Sequence, residues 1–312
     1  MRLGVISNRL SRRNRRGSPD TGALDLIHRP IAGLEGLSEA LDDFAAAEVG
    51  VIAINGGDGT ASGVMTELLA KPRFAALPAL AVIAGGTLNM SAANIGLQGK
   101  PESALARLAQ RLAAGDIAAS VHQRPVVGAI REPGSRPLCG LFFANVAFYR
   151  AIDYCVTHIT PNSPSPRLAT AITFAMMLGR VLFRRGDPMT KPERLEVALD
   201  GGSAEDLQVL FTLVTTLDRL VLGTRPFWGR EAGALKSTTL TAPPEGLLRR
   251  LPRALYGGEE RDLPSDSYRS HNVDRMTIAP GGPFALDGEL YETAPGQTLE
   301  LRAMGPLSFL RC

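Results

Sequence analysis

Residues 52–60, Ile-Ala-Ile-Asn-Gly-Gly-Asp-Gly-Thr, constrain the fold more than any other part of the chain. They join an apolar strand pattern to a helical pattern through a glycine-rich turn. In an open α/β sheet, such a turn presents backbone N–H groups and a helix N-terminus to a phosphate. An aspartate alone would repel phosphate, so Asp58 is expected to handle a cation, a ribose hydroxyl or a partner donor beside the phosphates. The segment therefore predicts a nucleotide site.

Strand and helix patterns alternate through the first 124 residues. Short apolar runs predict strands at residues 3–6, 24–27, 51–54 and 80–83. Helical spacing follows at residues 34–44, 61–69, 88–94 and 102–114. Repeated β-α units of this kind imply a doubly wound, mostly parallel sheet, which is a Rossmann-like α/β domain.

The sequence pattern changes after residue 115, from alternating strands and helices to mainly strands. Strand-like runs separated by Gly, Pro and Asp clusters occupy residues 126–130, 141–148, 195–199, 209–215, 237–241, 275–278 and 298–301. This spacing is typical of a β-sandwich or barrel, here interrupted by one apolar helical stretch at residues 168–183. The sequence therefore predicts an α/β domain over residues 1–124, followed by a β-sandwich domain over residues 125–290.

Charge and cysteine content exclude several function classes. The net charge of +3 is too small to indicate a nucleic-acid partner. The widely spaced Cys139, Cys155 and Cys312 form no metal or disulfide pattern, which favours a reducing cytosol. The most apolar segment, residues 171–183, is too short to span a bilayer. Arginine clusters at residues 12–16 and 180–185 suit either phosphate or an anionic membrane, or are simply solvated.

A second glycine turn follows the strand at residues 80–83 and contains Gly86, Thr87 and Asn89. In a parallel sheet both turns would lie at the carboxyl edge, where ligands bind. Thr60 and Thr87 would cap the following helices or donate to phosphate oxygens. The alternative is a pair of tight connections without a ligand. The chain has no P-loop motif, and Gly63 falls one place too late for the dinucleotide fingerprint.

Residues 286–290, Leu-Asp-Gly-Glu-Leu, form the third candidate. If the segment is a strand, Asp287 and Glu289 share a face and point into one site. One carboxylate would then take a proton from a hydroxyl while the other positions a metal ion. The alternative is a hairpin turn, the common use of Asp-Gly between apolar residues.

Together these segments resemble the diacylglycerol kinase catalytic family, which includes bacterial lipid kinases, sphingosine kinases and ceramide kinases and is distantly related to NAD kinases. The resemblance rests on residues 56–60, on residues 86–89, on residues 287–289 and on Asn8 after the first strand. These segments follow the family's order nearly from end to end.

The resemblance implies an ATP- and Mg²⁺-dependent lipid kinase with the nucleotide and acceptor in a cleft between two domains, and with residues 291–312 returning to the first domain. It implies that Asp287 is the general base and that Asp58 and Glu289 place the metal ion. The implied nucleotide-binding residues are Asn8, Asn55, Gly56, Gly57, Asp58, Gly59, Thr60, Gly86, Thr87 and Asn89. The acceptor would be diacylglycerol or a ceramide-like or sphingoid lipid, met at the inner membrane surface by a cytoplasmic, peripheral protein. A homodimer is left open.

The chain departs from the family pattern at four places. Residues 9–12, which include Leu10, stand where Pro-x-Ser-Gly is expected, and Gly63 stands where a glutamate often follows the glycine turn. Met90 replaces the usual aspartate, and Phe148 and Tyr149 lie where a Ser-Leu-Gly-Phe-like run is common. These departures leave two alternatives open, an NAD kinase and a non-catalytic protein that senses nucleotide or lipid.

The apolar helix at residues 168–183 agrees with a lipid acceptor, either as an acyl-chain site or at the membrane interface, with Arg184 and Arg185 near headgroups. Ordinary core packing is the other interpretation. Trp228, the one tryptophan, is either an interfacial anchor or a loop aromatic that caps the sandwich.

Overall fold

The computed structural model describes residues 1–11, 14, 25–84, 96–97, 101–117, 120–160, 163, 166–183, 186–258 and 260–311. The chain divides into two compact units. The first contains Met1–Val126, Leu138–Gly140 and Met304–Cys312, and the second contains Val127–Pro137 and Leu141–Ala303. The return to the first unit thus begins at Met304, whereas the family resemblance implied a return from residue 291.

A parallel sheet forms the centre of the first unit. Its strands are β1 (Arg2–Asn8), β2 (Ile27–Ile31), β3 (Val49–Gly56), β4 (Ala79–Ala84) and β5 (Gly96–Leu97). They lie in the spatial order β2-β1-β3-β4-β5, and every neighbouring pair is parallel. The C-terminal strand β16 (Leu299–Leu310) also joins β4 in parallel, where Phe309 pairs with Leu80.

Helices cover the sheet of the first unit. They are α1 (Leu37–Ala46), α2 (Asp58–Ala70) and α3 (Pro101–Ala113). Helix α3 buries Ala104, Leu105 and Leu108 in a cluster that includes Val5 and Val51 of the sheet. Ile6, Ile52 and Ile54, at alternate strand positions, are fully buried as well. A sheet buried on both faces explains why its strands read as continuous apolar runs.

The strand order fixes where a ligand can bind in the first unit. The chain leaves β1 toward β2 on one side, and then crosses back to place β3 and β4 on the other side. The order therefore reverses between β1 and β3. In open α/β sheets, ligands bind outside the carboxyl ends of the strands at such a switch point.

The second unit is rich in antiparallel strands. Its strands are β8 (Phe142–Asn145), β9 (Glu193–Leu199), β10 (Glu205–Thr215), β11 (Leu235–Thr241), β12 (Tyr268–Val273), β13 (Arg275–Ala279), β14 (Pro283–Leu286) and β15 (Glu289–Glu292). Strand β6 (Val121–Ile130) runs from the first unit into the second, and β7 (Leu138–Gly140) belongs to the first unit. Strand β10 is central, since it pairs with β8, β9 and β11. The predicted fold class, a parallel α/β domain followed by a β-rich domain, is confirmed.

Three helices accompany these strands: α4 (Ala147–Tyr154), α5 (Pro166–Phe183) and α6 (Leu247–Tyr256). One turn of π-helix, Cys155–Ile159, extends α4. Side chains of α5 and α6 pack against the sheet in one apolar cluster that includes Met177, Val181, Leu210, Leu247 and Ala254. Among the described residues, no helix is long and apolar enough to cross a membrane.

Two local predictions were wrong. The strand predicted at residues 141–148 ends at Asn145, because Val146 adopts a φ of 48° and α4 follows at once. The strand predicted at residues 24–27 instead begins at Ile27, and Leu24 lies outside the described residues. Helix α6 was not predicted, since Pro252 inside Leu-Leu-Arg-Arg-Leu-Pro-Arg-Ala-Leu-Tyr disfavours a helix interior. The helix predicted at residues 88–94 also lies outside the described residues.

Candidate active site

The turn between β3 and α2 lies at the switch point of the first unit. Gly56 ends β3, Gly57 is the N-cap with extended backbone (φ −88°, ψ 179°), and α2 begins at Asp58. The first N–H groups of a helix have no partner within the helix, and a glycine cap has no side chain to occupy them. The turn can therefore offer backbone N–H groups to an anion, as the sequence predicts.

Close packing requires glycine at position 56. A Cβ there would lie 2.7 Å from Oγ1 and 2.7 Å from Cβ of Thr60, far inside van der Waals contact. Thr60 is 4% exposed, and its Oγ1 accepts a hydrogen bond from Asn8 Nδ2 (2.8 Å). Since Asn8 ends β1 and Thr60 lies in the first turn of α2, this bond links β1 to the helix that follows β3. Asn8, Gly56 and Thr60, predicted from distant motifs, are thus brought together.

An asparagine network fills the edge between β1 and β3. Asn14 donates from Nδ2 to the carbonyls of Asn8 and Asn55 (2.9 Å each). Asn55 donates from Nδ2 to Asn14 Oδ1 (3.1 Å) and Ser7 Oγ (3.3 Å). Asn55 is fully buried, yet its Oδ1 has no hydrogen-bond partner. A buried acceptor of this kind is rare, and it suits a donor such as a ribose hydroxyl.

Asn8 also organises the loop that follows β1. Its Oδ1 accepts hydrogen bonds from the backbone N–H of Leu10 (3.0 Å) and of Gly33 (3.1 Å). Its carbonyl accepts from Ser11 Oγ at 2.9 Å. The family pattern has proline at the position of Arg9 and glycine at that of Arg12. Over residues 8–11, the asparagine side chain itself holds the local turn without a proline at position 9.

Sequence reasoning missed Ser7, Asn14 and His28. His28 Nε2 lies 2.9 Å from Ser7 Oγ, which in turn contacts Asn55. No motif marks these residues, because the network joins segments up to 48 positions apart. The one available signal was the polar residue that ends each strand, Ser7-Asn8 on β1 and Asn55 on β3.

His28 makes the first unit sensitive to pH. Burial lowers the pKa of His28 from 6.5, and the charges of Arg9 and Arg29 lower it further. The folded state thus binds this proton less tightly than the unfolded chain does. Its stability is retained above about pH 6.5 and decreases as the pH falls through that value.

We expect the Tm to fall between about pH 7 and pH 5, and to fall less in His28→Gln, because glutamine keeps a polar partner for Ser7 but does not titrate. Thermal unfolding followed by circular dichroism across this range measures the effect. The exposed His122→Gln is the matched control and should leave the slope unchanged. Equal slopes in the native protein and His28→Gln would contradict the expectation.

Asp58 is 8% exposed at the start of α2, where its carboxylate benefits from the helix N-terminus. No group of three or more His, Cys, Asp or Glu side chains among the described residues is arranged as a metal cage. Mg²⁺ in kinases is commonly held by one or two carboxylates, with phosphate oxygens and water completing the shell. A buried carboxylate at the start of a glycine-capped helix fits Mg²⁺ with ATP.

Other predicted residues lie outside the described residues. These are Gly86, Thr87, Asn89 and Met90 of the second glycine turn, and the basic residues Arg12, Arg13, Arg15, Arg16, Arg184 and Arg185. In the sequence this glycine-rich segment comes after Ala84, the last residue of β4, and β4 is the neighbour of β3 in the sheet.

In the second unit, Asp287 is buried and held by backbone groups. It is 4% exposed, and its Oδ1 accepts hydrogen bonds from the N–H of Phe142 (2.9 Å) and of Leu141 (3.1 Å). Its Oδ2 lies 3.0 Å from the Leu141 nitrogen. Its own N–H donates to the Phe142 carbonyl at 2.8 Å. Two fixed donors therefore set the position of this carboxylate.

Asp287 and Glu289 do not share a strand face. Strand β14 ends at Leu286 and β15 begins at Glu289, so Asp287 and Gly288 form the hairpin turn, with φ of 50° and 85°. The strand interpretation was wrong, and the hairpin alternative is what the structure shows. Glu289 is exposed whereas Asp287 is buried. Both carboxylates raise the pKa of Tyr291, although burial of its phenol is the larger cause.

The apolar helix has two different faces. Met177, Leu178 and Val181 of α5 pack in the cluster with the sheet, as ordinary core residues do. Ile172 is 45% exposed and Ala175 is exposed as well. The side chains of Leu182 and Phe183 lie outside the described residues. Core packing therefore accounts for one face of α5 and leaves the other face open.

Trp228 is a packing residue. It contacts the same apolar cluster, and the guanidinium carbon of Arg261 lies 5.1 Å from the centre of its ring. Its backbone N–H donates to Ser270 Oγ at 2.9 Å. Of the two interpretations of Trp228, these contacts favour a loop aromatic packed on the domain.

Comparisons with known proteins agree with this description. Residues 27–119 match the family model of the diacylglycerol kinase catalytic domain, so the resemblance is confirmed over a segment that holds the β3–α2 turn. No curated protein matches the chain significantly.

Three solved structures from Bacillus anthracis str. Sterne share the fold. One, described as a diacylglycerol kinase, has a TM-score of 0.61 at 14% identity and covers 99% of this chain and 96% of its own. Two others, assigned to that activity provisionally, have TM-scores of 0.67 at 13% identity (100% and 97% covered) and 0.64 at 15% identity (96% and 93% covered). At such identities the similarity establishes the fold, and with the family match it supports a kinase.

Proposed function

We propose that this protein transfers the γ-phosphoryl group of ATP to a hydroxyl of a membrane lipid of the diacylglycerol, ceramide or sphingoid type. One observation carries the proposal. A glycine-capped helix N-terminus, with a buried aspartate and a buried unpartnered asparagine acceptor, lies at the switch point of a sheet within the matched segment. Phosphate on the N–H groups and a ribose hydroxyl on Asn55 would satisfy this arrangement.

The nucleotide-side roles follow from the first unit. The turn from Gly56 to Thr60 would bind the phosphates, and Asp58 would hold Mg²⁺ near them. The metal ion, when bound, would neutralise charge on the transferring group. Asn8 would keep Thr60 in place through its hydrogen bond. Gly86, Thr87 and Asn89 are proposed to line the same nucleotide site.

Asp287 is proposed as the general base. It would take the proton of the acceptor hydroxyl as that oxygen bonds to the γ-phosphorus, while the bond to the bridging oxygen breaks and ADP leaves. The hydrogen bonds from Leu141 and Phe142 would hold the carboxylate in position during this step. Glu289, exposed at the start of β15, is proposed to assist metal placement.

The lipid character of the acceptor has separate support. The open face of α5 carries Ile172, Ala175 and Met176 at helical spacing, and none of the three has a charge. An apolar helix face left without core packing suits contact with an acyl chain or a membrane interface. Since an NAD acceptor would need no such face, this feature favours lipid over NAD. Peripheral membrane contact follows from a membrane-resident acceptor.

The test is an acceptor panel. Purified protein is incubated with labelled ATP and Mg²⁺ and with diacylglycerol, ceramide, sphingosine, monoacylglycerol or NAD. We expect a labelled product that extracts with lipid from at least one lipid acceptor, and none when the metal is chelated. Product from NAD alone would replace the proposal with an NAD kinase, and no product from any acceptor would overturn it.

A further inference from the structure

An exposed surface on the second unit combines large apolar side chains with arginines. Helix α6 places Leu248, Pro252 and Tyr256 four residues apart on one exposed stripe, with Leu248 61% and Tyr256 59% exposed. Arg249 and Arg253 lie beside this stripe and are exposed too. Solvated helices rarely keep a leucine and a tyrosine in line on their outer face, so the stripe indicates a partner.

Leu222 extends the stripe beyond the helix. It is 57% exposed and its backbone lies in the left-handed region (φ 58°, ψ 18°), which is strained for leucine. Tyr256 Oη donates a hydrogen bond to the Leu222 carbonyl at 3.3 Å, and the Arg225 N–H donates to the Leu255 carbonyl at 2.7 Å. The loop at Leu222 and the end of α6 are therefore held together. The strained backbone conformation of Leu222 is maintained although its apolar side chain is exposed to solvent.

The charged residues around Leu222 and α6 indicate which kind of partner this surface binds. Residues 217–225 and 246–258 contain five arginines and one acidic residue, Asp218. Asp218 is paired with Lys236 at 2.9 Å, so it does not offset the arginines. Of the arginines on α6, Arg250 lies 3.1 Å from Glu245 and Arg253 lies 3.7 Å from Asp262. Residues 217–225, Lys236 and residues 245–262 together hold seven basic and five acidic side chains. This net charge of +2 would favour anionic headgroups.

The inner face of α6 links this surface to the open helix described above. Leu247, Leu251 and Ala254 pack in the same apolar cluster as Met177 and Val181 of α5. A membrane held against α6 would thus lie against an element that shares an apolar cluster with the helix proposed to meet the acceptor.

We propose that Leu222, Leu248, Pro252 and Tyr256, with Arg249 and Arg253, form a docking face for an anionic phospholipid bilayer. The apolar side chains enter the headgroup region while the guanidinium groups contact lipid phosphates. Tyrosine suits this depth, since its ring is apolar and its hydroxyl is polar. The proposal rests on the proposed function for its biological purpose, but lipid binding is measured without ATP or turnover.

Vesicle flotation tests the docking face. Phosphatidylcholine vesicles with and without phosphatidylglycerol are mixed with the native protein and two variants, Leu248→Gln/Tyr256→Ser and Arg249→Glu/Arg253→Glu. We expect binding to the anionic vesicles, roughly 10-fold weaker in the first variant and roughly 30-fold weaker or more in the second. Matched controls are Leu77→Gln and Lys71→Glu/Arg107→Glu, which change residues of the first unit that are also exposed.

A site-specific fluorescent probe shows whether α6 itself enters the bilayer when the protein binds vesicles. Leu248→Trp in a Trp228→Phe background should be quenched by brominated acyl chains, whereas Leu77→Trp in that background should not. Variants that bind like the native protein, or quenching at Leu77 alone, would overturn the proposal. So would self-association of the chain that these substitutions abolish while vesicle binding is unchanged, because the face would then meet a second copy.

The same variants separate docking from catalysis. With a short-chain acceptor dispersed in detergent, they should retain the turnover of the native protein. A protein that floats with vesicles but phosphorylates no acceptor would overturn the proposed function alone. If the native protein and the docking-face variants phosphorylated lipid in vesicles equally well, the docking proposal alone would be overturned.

Discussion

Asp58→Asn is expected to lower lipid phosphorylation by at least about 100-fold, the size of effect seen when one charge-stabilising group is removed from an active site. The substitution keeps the shape of the side chain and removes the charge that would hold Mg²⁺ at the β3–α2 turn. Folding should change little, since a carboxylate at a helix N-terminus contributes about 0.3–1 kcal/mol. Initial rates at saturating ATP and thermal unfolding measure the two effects.

The matched control for Asp58 is Asp116→Asn, a change at an aspartate of the same unit whose side chain is 73% exposed. It should leave turnover unchanged. If Asp58→Asn retained turnover within about threefold, the aspartate would not belong to the phosphoryl-transfer machinery. A native protein without turnover whose lipid binding is the same in Asp58→Asn would instead be a binding module.

The parallel domain could be predicted because its signals are local. Each of β1, β3 and β4 is a short run of residues buried on both faces, and such a run reads as apolar whatever surrounds it. The turn at residues 56–60 could be predicted for the same reason, since tight packing of Gly56 on Thr60 is decided within five positions. The strands and the turn both depend on contacts between residues close in the sequence, and hydrophobic periodicity reports such contacts.

The rest of the site depends on distant contacts. Asn14, an ordinary loop residue in the sequence, is buried where it exchanges hydrogen bonds with Asn55, 41 positions away. Its Nδ2 donates to the Asn55 carbonyl, and its Oδ1 accepts from Asn55 Nδ2. Asp287 reads as a turn residue, and it is one. Its burial comes from backbone donors 145 and 146 positions earlier, which carry no side-chain signal. Backbone donors are available in any sequence, so no pattern could have indicated them.

Gly63 shows how a departure from a family pattern can have a structural cause. Any Cβ at that position would lie 2.5 Å from Cδ2 of Leu34, so the glycine makes room for a leucine that precedes α1. Position 63 and residue 34 therefore form a packing pair in this chain. The glycine at position 63 thus has a packing contact of its own, and it does not by itself indicate a lost activity.

Two substitutions of Asp287 distinguish its structural role from its proposed catalytic role. In Asp287→Ala, the buried N–H groups of Leu141 and Phe142 lose their acceptor, and the loss of bonds to a charged group should destabilise the fold by roughly 2–4 kcal/mol. In Asp287→Asn, Oδ1 can still accept from both donors, and asparagine tolerates the positive φ of 50°. We expect this variant to lose only about 1 kcal/mol of stability in urea unfolding, yet at least about 100-fold in turnover.

The chain contains its own control for this experiment. Asp200, in the turn after β9, also precedes a glycine, adopts a φ of 49°, and accepts the N–H groups of Asp274 and Arg275 at 2.9 and 2.8 Å. It differs from Asp287 in being exposed and far from any motif. Asp200→Asn should therefore cost little stability and no turnover. If Asp287→Asn also kept its turnover, the carboxylate would be an anchor for residues 141–142, and the proton would have to leave the acceptor for another base.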